Sequence, residues 1–174
     1  MTDAIDRREA YYAERLAEKE ACPDRDPIAS EALLNFLFTY DVLERQLVTQ
    51  LQRIGISPSA FNILMILRVH RDMGLPLSQI SELLLVSRAN ITGVVDSLEA
   101  LELVSRTTSE SDRRSKTAKI TDKGLRLITE FLPEHYLFIK KLMSGLTADE
   151  QKTLATLLKK LRRSVQHASL EEKK

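Results

Sequence analysis

The hydrophobic spacing of the sequence changes period twice between residues 78 and 120, and this change constrains the fold more than any other feature. Apolar residues at steps of three and four predict a short helix over about 78–85 and a second helix over 87–101. Alternating stretches at 103–106 and 116–120 predict two short strands joined by a polar loop. The order helix, tight turn, helix and β-hairpin predicts a helix-turn-helix followed by a wing. The inward positions of the short helix are predicted to be Ile80, Leu83 and Leu84.

Longer helices are predicted on both sides of this segment. Glycine and proline number only five each, which favours long helices over a loop-rich β fold. Helices are expected over 2–21 and 28–53, and a third helix, apolar on nearly all sides, begins at Ser57. Further helices are expected over 121–143 and from 147 onward. The predicted fold is mainly α: a winged helix-turn-helix with a two-stranded β-wing, plus N- and C-terminal helices.

Residue types at the helix ends support these boundaries. Asp26 precedes Pro27, and Ser57 precedes Pro58, in the arrangement typical of an N-cap followed by a first-turn proline. Gly55 is a candidate left-handed C-cap. Further N-cap signals are Ser87, Thr121 and the capping box of Thr147 and Glu150.

The predicted helix over 87–101 has an apolar side and a small, polar outer side. The apolar side is formed by Ile91, Val94, Val95 and Leu98. Gly93 points outward with Ala89, Thr92 and Asp96, although glycine costs about 1 kcal/mol relative to alanine inside a helix. A close external neighbour would explain the glycine, and the major groove of DNA admits a helix with little clearance. An ordinary surface helix that tolerates one glycine is the alternative. The predicted DNA contacts of this helix are Ser87, Arg88, Ala89, Asn90, Thr92 and Gly93.

The predicted hairpin and its flanks carry a net positive charge. The formal net charge is only +1, yet residues 104–126 hold seven basic residues against three acidic ones. Asp112 stands two residues before Arg114, so its carboxylate can orient the guanidinium by a charge-assisted hydrogen bond. An arginine presented in this way suits the narrow minor groove of DNA, while Arg113, Lys116 and Lys119 would contact phosphates. The alternative is an exposed ion pair on a solvated loop.

Two stretches, SRANITGVVDSLEALELVSR and DRRSKTAKITDKG, resemble the MarR (multiple antibiotic resistance regulator) family of bacterial winged-helix repressors. The family element Leu-Glu-x-x-Gly-Leu-Val-x-Arg is matched by Leu98, Glu99, Leu103, Val104 and Arg106. The following element is matched by Asp112, Arg114, Thr121 and Gly124, with Ile120 in place of leucine. Glu102 departs from the pattern because the family usually has glycine there. Either Glu102 is left-handed, at a cost of about 1 kcal/mol, or the helix ends differently.

The resemblance implies a homodimer that binds double-stranded DNA at a roughly palindromic operator. It divides the chain into an N-terminal helical extension (1–28), dimerisation helices (29–56 and 122–174) and a winged helix-turn-helix DNA-binding lobe (57–121). In this arrangement the N- and C-terminal helices of two chains entwine.

The resemblance also implies a small aromatic or phenolic ligand between the dimer helices and the DNA-binding lobe. The corresponding walls are Phe36, Tyr40, Phe61, Met65, Arg68 and Phe131. The alternative is that the apolar members of this set are core and that Arg68 is a surface charge. Some family members sense oxidants through a cysteine; Cys22 is the sole candidate here, and a lone cysteine is more often inert.

No catalytic, metal or cofactor site is predicted. His70, His135 and His167 are far apart in sequence and lie in no metal-binding or nucleophile motif. An enzyme is therefore the weaker alternative. A second alternative is a winged-helix interaction module without specific DNA binding, which Asp96, Glu102 and the near-neutral total charge support.

The sequence predicts a cytoplasmic protein with no membrane partner. It has no apolar run near the ~18 residues that span a bilayer. Its first residues are charged and lack the apolar core of a signal peptide. A single cysteine fits a reducing compartment.

Overall fold

The computed structural model of the chain describes residues 4–17, 26–84, 88–108 and 116–171. This part of the chain contains seven helices and one three-stranded sheet. The helices are α1 (Ala4–Ala17), α2 (Pro27–Gln52), α3 (Pro58–Val69), α4 (Leu77–Leu84), α5 (Arg88–Ala100), α6 (Asp122–Leu142) and α7 (Ala148–Glu171). The strands are β1 (Leu75–Pro76), β2 (Val104–Thr108) and β3 (Lys116–Ile120). The chain forms two compact units, Met1–Ile63 and Leu64–Lys174, with α3 crossing the boundary. The division into extension, dimerisation helices and DNA-binding lobe stays a prediction.

α2 is the long helix of the first unit, and both of its ends have the predicted caps. Asp26 is extended, and its Oδ1 accepts a hydrogen bond from the Ala29 N–H at 3.0 Å. After the helix, Gly55 is left-handed with φ 72°. The N–H of Ile56 then donates to the carbonyl of Leu51 at 3.3 Å, which closes a Schellman motif. Glycine ends the helix here because this backbone conformation penalises a Cβ atom.

One stripe of α2 remains uncovered by the chain itself. Phe38 and Leu51 are buried. The exposed members of the stripe are Leu33, Phe36, Leu37 and Tyr40. Their spacing of three and four places them along one side of the helix. Exposed apolar surface of this kind is typical of a surface that binds a partner.

A small antiparallel sheet in the order β1-β3-β2 lies in the second unit. β2 and β3 form the predicted hairpin, with Val104 opposite Ile120 and Thr108 opposite Lys116. β1 is a third strand that the sequence did not predict, and it places Leu75 opposite Ala118. A strand of two residues leaves no alternation in the sequence, and its proline suits an edge position because it has no N–H to donate.

Most of the fully buried residues lie on α3, α5 and the sheet. α3 is apolar on most sides, as predicted, and Ile63, Leu64 and Leu67 are fully buried. Ser57 caps it, with its Oγ accepting from the Ala60 N–H at 3.1 Å. The buried residues of α5 and the sheet are Ile91, Val95, Leu98, Val104, Ala118 and Ile120.

α4 buries a different side from the predicted one. Ile80 is buried as expected, but the predicted inward residue Leu83 is 60% exposed. Ser81 is buried in its place. Its Oγ donates to the Ser78 carbonyl at 2.7 Å, which satisfies the hydroxyl and removes the usual penalty for burying it. The prediction for Leu83 was therefore wrong, because hydropathy ranks leucine above a serine that bonds its own helix.

The last two helices begin with the predicted caps. Thr121 Oγ1 accepts from the Gly124 N–H at 3.0 Å at the start of α6. The Thr147 N–H donates to Glu150 Oε2 at 2.7 Å, and the Glu150 N–H donates back to Thr147 Oγ1 at 3.3 Å. α7 leaves an apolar stripe exposed, consisting of Leu154, Leu157, Leu161 and Val165.

Candidate nucleic-acid interface

α5 follows α4 and presents the predicted outer face. Ile91, Val95 and Leu98 are buried and anchor the helix, whereas Val94, predicted on the same side, is only half-buried. On the opposite side, the exposed residues are Ala89, Asn90, Gly93 and Asp96. Thr92 is half-buried, so it lies at the edge of the outer face rather than at its centre.

Gly93 lies in open space on this outer face. A Cβ atom built on Gly93 would meet no neighbouring atom within 4 Å. The fold therefore does not require glycine here, although alanine would stabilise the helix by about 1 kcal/mol. The prediction that Gly93 points away from the core is confirmed. A smooth surface at this position allows another molecule to approach the helix backbone closely.

Arg106 on β2 binds two carboxylates of α5. Its Nε donates to Glu99 Oε2 at 2.8 Å, and its Nη2 also binds this oxygen. Its Nη1 lies 2.5 Å from Asp96 Oδ1, and its backbone N–H donates to Glu99 Oε1 at 3.2 Å. The planar guanidinium suits this forked arrangement. We call Asp96, Glu99 and Arg106 the helix–wing triad, because it joins α5 to the first strand of the wing.

The helix–wing triad also changes the charge of the outer face. Hydrogen bonding to Arg106 lowers the pKa of Glu99, and the reciprocal bond raises the pKa of Arg106. The side chain of Arg106 is 20% exposed, so its cation is largely committed to the two acids. Asp96 and Glu99 would both repel phosphates if they were unpaired, and the single guanidinium offsets part of this repulsion, leaving one net negative charge on the triad. The sequence matched Arg106 and Glu99 to a family pattern but did not predict this contact, since they are seven residues apart on different elements.

Glu102 ends α5 in the left-handed conformation. Its φ is 59°, which decides between the two alternatives left by the sequence. The Glu102 N–H donates to the Glu99 carbonyl at 2.8 Å, and the Leu103 N–H donates to the Leu98 carbonyl at 2.9 Å. These bonds form a Schellman motif, with buried Leu98 and Leu103 as its apolar pair. The helix thus ends as it would with glycine, at the expense of backbone strain in a glutamate.

Two contacts from the start of α6 hold Glu102. Lys123 Nζ donates to Glu102 Oε2 at 2.9 Å, and this bond lowers the pKa of the Glu102 carboxyl. Thr121 Oγ1 donates to the Glu102 carbonyl at 2.7 Å. Glycine could accept the second bond but not the first. Glu102 therefore connects the end of α5 to α6 by a side-chain contact that the family glycine cannot make.

Gly124 occupies another position that matches the family pattern, and its surroundings explain why the residue is glycine. A Cβ atom on Gly124 would collide with the carbonyl oxygen of Leu103. The Leu103 carbonyl also accepts from the Thr121 N–H at 3.1 Å. The first turn of α6 must therefore lie directly against the backbone at the end of α5, and only glycine permits this distance.

The described part of the wing carries two lysines with different surroundings. Lys116 is exposed at the outer end of β3. Lys119 Nζ donates to the Asp72 carbonyl at 2.8 Å, which ties β3 to the turn after α3. Ser87, Asp112, Arg113 and Arg114 lie outside the described residues, and only the backbone of Arg88 is described. Their roles in DNA binding stay predictions.

The residues predicted to line a ligand pocket differ in how deeply they are buried. Phe61 and Phe131 are buried, and Met65 and Arg68 are half-buried. Phe36 and Tyr40 are exposed, so the alternative that they belong to the core of the single chain is wrong. They lie on the uncovered stripe of α2 instead. The pocket itself stays a prediction, and Cys22 lies outside the described residues.

The histidines occupy unlike environments. His70 and His167 are exposed, whereas His135 is buried in α6, and burial lowers its pKa. Among residues 4–17, 26–84, 88–108 and 116–171, no cluster of three or more histidine, cysteine or acidic side chains could hold a metal ion. None of the described helices has both the length and the apolar character needed to cross a membrane.

Comparison with known proteins finds transcriptional regulators. Residues 56–116 match the model of the MarR family. The HTH-type transcriptional regulator MhqR of Bacillus subtilis (strain 168) is 36% identical over 107 residues, which cover 62% of this chain and 72% of MhqR. The transcriptional repressor MprA of Escherichia coli (strain K12) is 31% identical over 107 residues, which cover 62% of this chain and 61% of MprA.

Solved structures agree on the fold. The S. aureus MepR–DNA complex superposes with a TM-score of 0.70 at 21% identity, over 76% of this chain and 96% of that chain. A mutant MarR from E. coli complexed with operator DNA superposes with a TM-score of 0.68 at 24% identity, over 75% of this chain and 93% of that chain. At these identities the similarity establishes the architecture.

The consecutive helices α4 and α5 and the hairpin of β2 and β3 form a winged helix-turn-helix, and together with the relatives this motif identifies a DNA-binding transcriptional regulator. The relatives identify the family to which this regulator belongs. The chain belongs to the MarR family. The resemblance predicted from residues 87–124 is confirmed.

Proposed function

We propose that this protein is a homodimeric repressor that binds a pseudo-palindromic operator in double-stranded DNA. α5 enters the major groove, and the wing contacts the adjacent minor groove. A small aromatic or phenolic ligand between the dimer helices and the DNA-binding lobe releases the operator. The protein acts in the cytoplasm and has no catalytic activity. Its relatives MhqR and MprA are named as a transcriptional regulator and a transcriptional repressor, which supports this function.

The observation that carries the proposal is the open space around Gly93 on an otherwise well-packed helix. A surface helix gains stability from almost any residue other than glycine or proline at such a position. A duplex groove in contact with the helix backbone supplies a reason to keep glycine. Exposed Ala89 and Asn90 on the same face are small enough to admit the groove, and the asparagine amide can bond a base edge.

The paired acids count against the alternative of an interaction module. That alternative was supported by Asp96 and Glu102 near the recognition surface. Asp96 binds Arg106, and Glu102 binds Lys123, so each acid has a cation beside it. The nearby cations therefore reduce the repulsion that these carboxylates exert on DNA, although the triad keeps one net negative charge.

Uncovered apolar stripes support a dimer. The exposed stripe of α2 includes Phe36 and Leu37, and that of α7 includes Leu157 and Leu161. Burying such side chains stabilises an association by roughly 25 cal/mol per Å² of apolar surface. A second copy of the chain would supply matching stripes, as an isologous interface requires.

An anisotropy titration with labelled duplex DNA from the region upstream of the protein's own gene tests the proposal. We expect saturable binding to one segment, with affinity that falls steeply as salt increases, because phosphate contacts release counterions. A scrambled duplex of the same length and composition is the control. Equal weak binding to both duplexes would favour the interaction module.

A further inference from the structure

A cleft of about 240 Å³ lies between α1 and α2 in the first unit. It is separate from the recognition helix and from the residues predicted for the family ligand pocket. It also lies outside residues 56–116, the segment that matches the family model. Its chemistry therefore belongs to this chain rather than to the matched family segment.

Aromatic and apolar side chains form the floor of the cleft. Tyr12 on α1 and Phe38 on α2 have ring centroids 6.1 Å apart, with planes tilted by 56°. Phe38 is buried, Tyr12 is half-buried, and Leu34 lines the cleft beside them. Tyr11 packs on Tyr12 edge to face at 5.5 Å, which limits the rotation of that ring. The two lining rings thus offer a fixed aromatic surface to a ligand.

Two glutamates are the charged residues that line the cleft. Glu9 on α1 and Glu31 on α2 bring one carboxylate from each helix. The Asn35 Nδ2 donates to the Glu31 carbonyl at 3.0 Å, which orients this amide beside the cleft. Within the part of the chain that the structure describes, no ion pair involves the carboxylate of Glu9 or Glu31.

From this combination we infer that the cleft binds a small organic cation with an aromatic or apolar body. Aromatic faces attract cations through the ring quadrupole, and two carboxylates on opposite walls add electrostatic attraction. An anion would be repelled by both acids. A neutral apolar molecule would contact the rings but leave the acids without a counter-charge.

Isothermal titration calorimetry of the full-length protein, without DNA, tests this site. The probe is benzyltrimethylammonium chloride, and phenylacetate is the anionic counterpart with an aromatic ring. We expect saturable binding of the cation. Phenylacetate, which the proposed ligand pocket could also accept, should show no binding that depends on Glu31 or Tyr12 of the cleft. Because DNA is absent, the result does not depend on whether the proposed operator binding is correct.

Substitutions then locate the site. Glu31→Gln and Tyr12→Leu should each weaken binding of the cation by about three- to tenfold. Glu14→Gln on exposed α1 surface outside the cleft removes the same charge and should leave the affinity within about twofold. Far-ultraviolet circular dichroism checks that each variant retains its helices.

Binding of phenylacetate that Glu31→Gln and Tyr12→Leu weaken as much as they weaken binding of the cation would overturn the inference. So would an unchanged affinity in folded Glu31→Gln and Tyr12→Leu, because the cation would then bind elsewhere. An equal loss in Glu14→Gln would also contradict it, since the attraction would come from the general acidity of the unit.

Discussion

Arg106 Nε on β2 lies 2.8 Å from Glu99 Oε2 on α5, so the wing and the recognition helix are joined by a charge-assisted hydrogen bond. Asp96 on the same helix completes the triad. A wing reads DNA usefully only if its position relative to the recognition helix is fixed. The contact therefore links the stability of the hairpin to the geometry of binding.

The helix–wing triad predicts a specific effect of Arg106→Gln. The change removes the cation and leaves Asp96 and Glu99 to repel each other and DNA. We expect Tm to fall by about 2–4 °C and operator affinity to fall by roughly tenfold. Calorimetry and anisotropy measure the two effects. Arg71→Gln is the matched control, because Arg71 forms an exposed ion pair with Asp72 and should change neither value. Full operator affinity in a folded Arg106→Gln variant would show that the triad does not position the wing.

The open space around Gly93 predicts that a large side chain there stabilises the fold but weakens operator binding. Gly93→Ala and Gly93→Leu should both stabilise the protein, by roughly 1 kcal/mol, because the fold has room for a side chain. Leucine should lower operator affinity by at least about tenfold, since its bulk would meet the groove. Ala100→Leu adds similar bulk at the exposed end of α5 and serves as the control. If Gly93→Leu binds the operator as the wild type does, position 93 does not face DNA.

The left-handed conformation of Glu102 predicts that glycine and alanine at this position have different effects on Tm. Glu102→Gly relieves the left-handed strain and loses only an exposed ion pair, so we expect Tm to rise by about 2–4 °C. Glu102→Ala keeps the Cβ atom and its strain while losing the bond to Lys123, so Tm should not rise. Differential scanning calorimetry of both variants makes the comparison. A higher Tm for alanine than for glycine would refute the strain argument.

His135 predicts that the protein loses stability on mild acidification. Burial lowers its folded-state pKa below the ordinary value of 6.5, so the unfolded chain binds the proton first as pH falls. Its contribution is therefore present above pH 6.5 and is lost progressively below it. Tm should fall more steeply in the wild type than in His135→Gln between about pH 7.5 and about pH 5.5. Identical slopes for the wild type and His135→Gln would exclude His135 as the titrating group.

The apolar stripe of α7 predicts the effect of Leu157→Glu on assembly. Leu157 is exposed in the single chain, so a charge there should leave the monomer fold intact while blocking a dimer interface. Sedimentation velocity should show a monomer at concentrations where the wild type is a dimer. Thr156→Glu makes the same charge change at a neighbouring exposed position and should remain dimeric. A dimer in the Leu157→Glu variant would place the interface elsewhere.

Features fixed by neighbouring residues could be predicted from the sequence. The N-caps Asp26, Ser57 and Thr121 and the C-cap Gly55 have the expected bonds or backbone angles. Each depends on residues within one helical turn, so local residue types are enough. The order of helices and hairpin, and the outward direction of Gly93, followed in the same way from the spacing of apolar residues.

Long-range contacts could not be predicted. The sequence did not predict β1, which forms only because β3 offers it an edge. It placed Leu83 inward, whereas the packing of α4 buries Ser81. It also could not decide the conformation of Glu102, since its support comes from Lys123 and Thr121, about twenty residues away.

The sequence by itself determined the winged helix-turn-helix and the outer face of the recognition helix, because hydrophobic period and capping act between near neighbours; its motifs also resembled those of the MarR family. Only the tertiary structure decided that Arg106 joins that helix to the wing, that Phe36 and Tyr40 lie on an uncovered stripe, and that α1 and α2 enclose an acidic aromatic cleft. These features depend on side chains from separate elements meeting in space, and the relative placement of elements is set by the packing of the whole core.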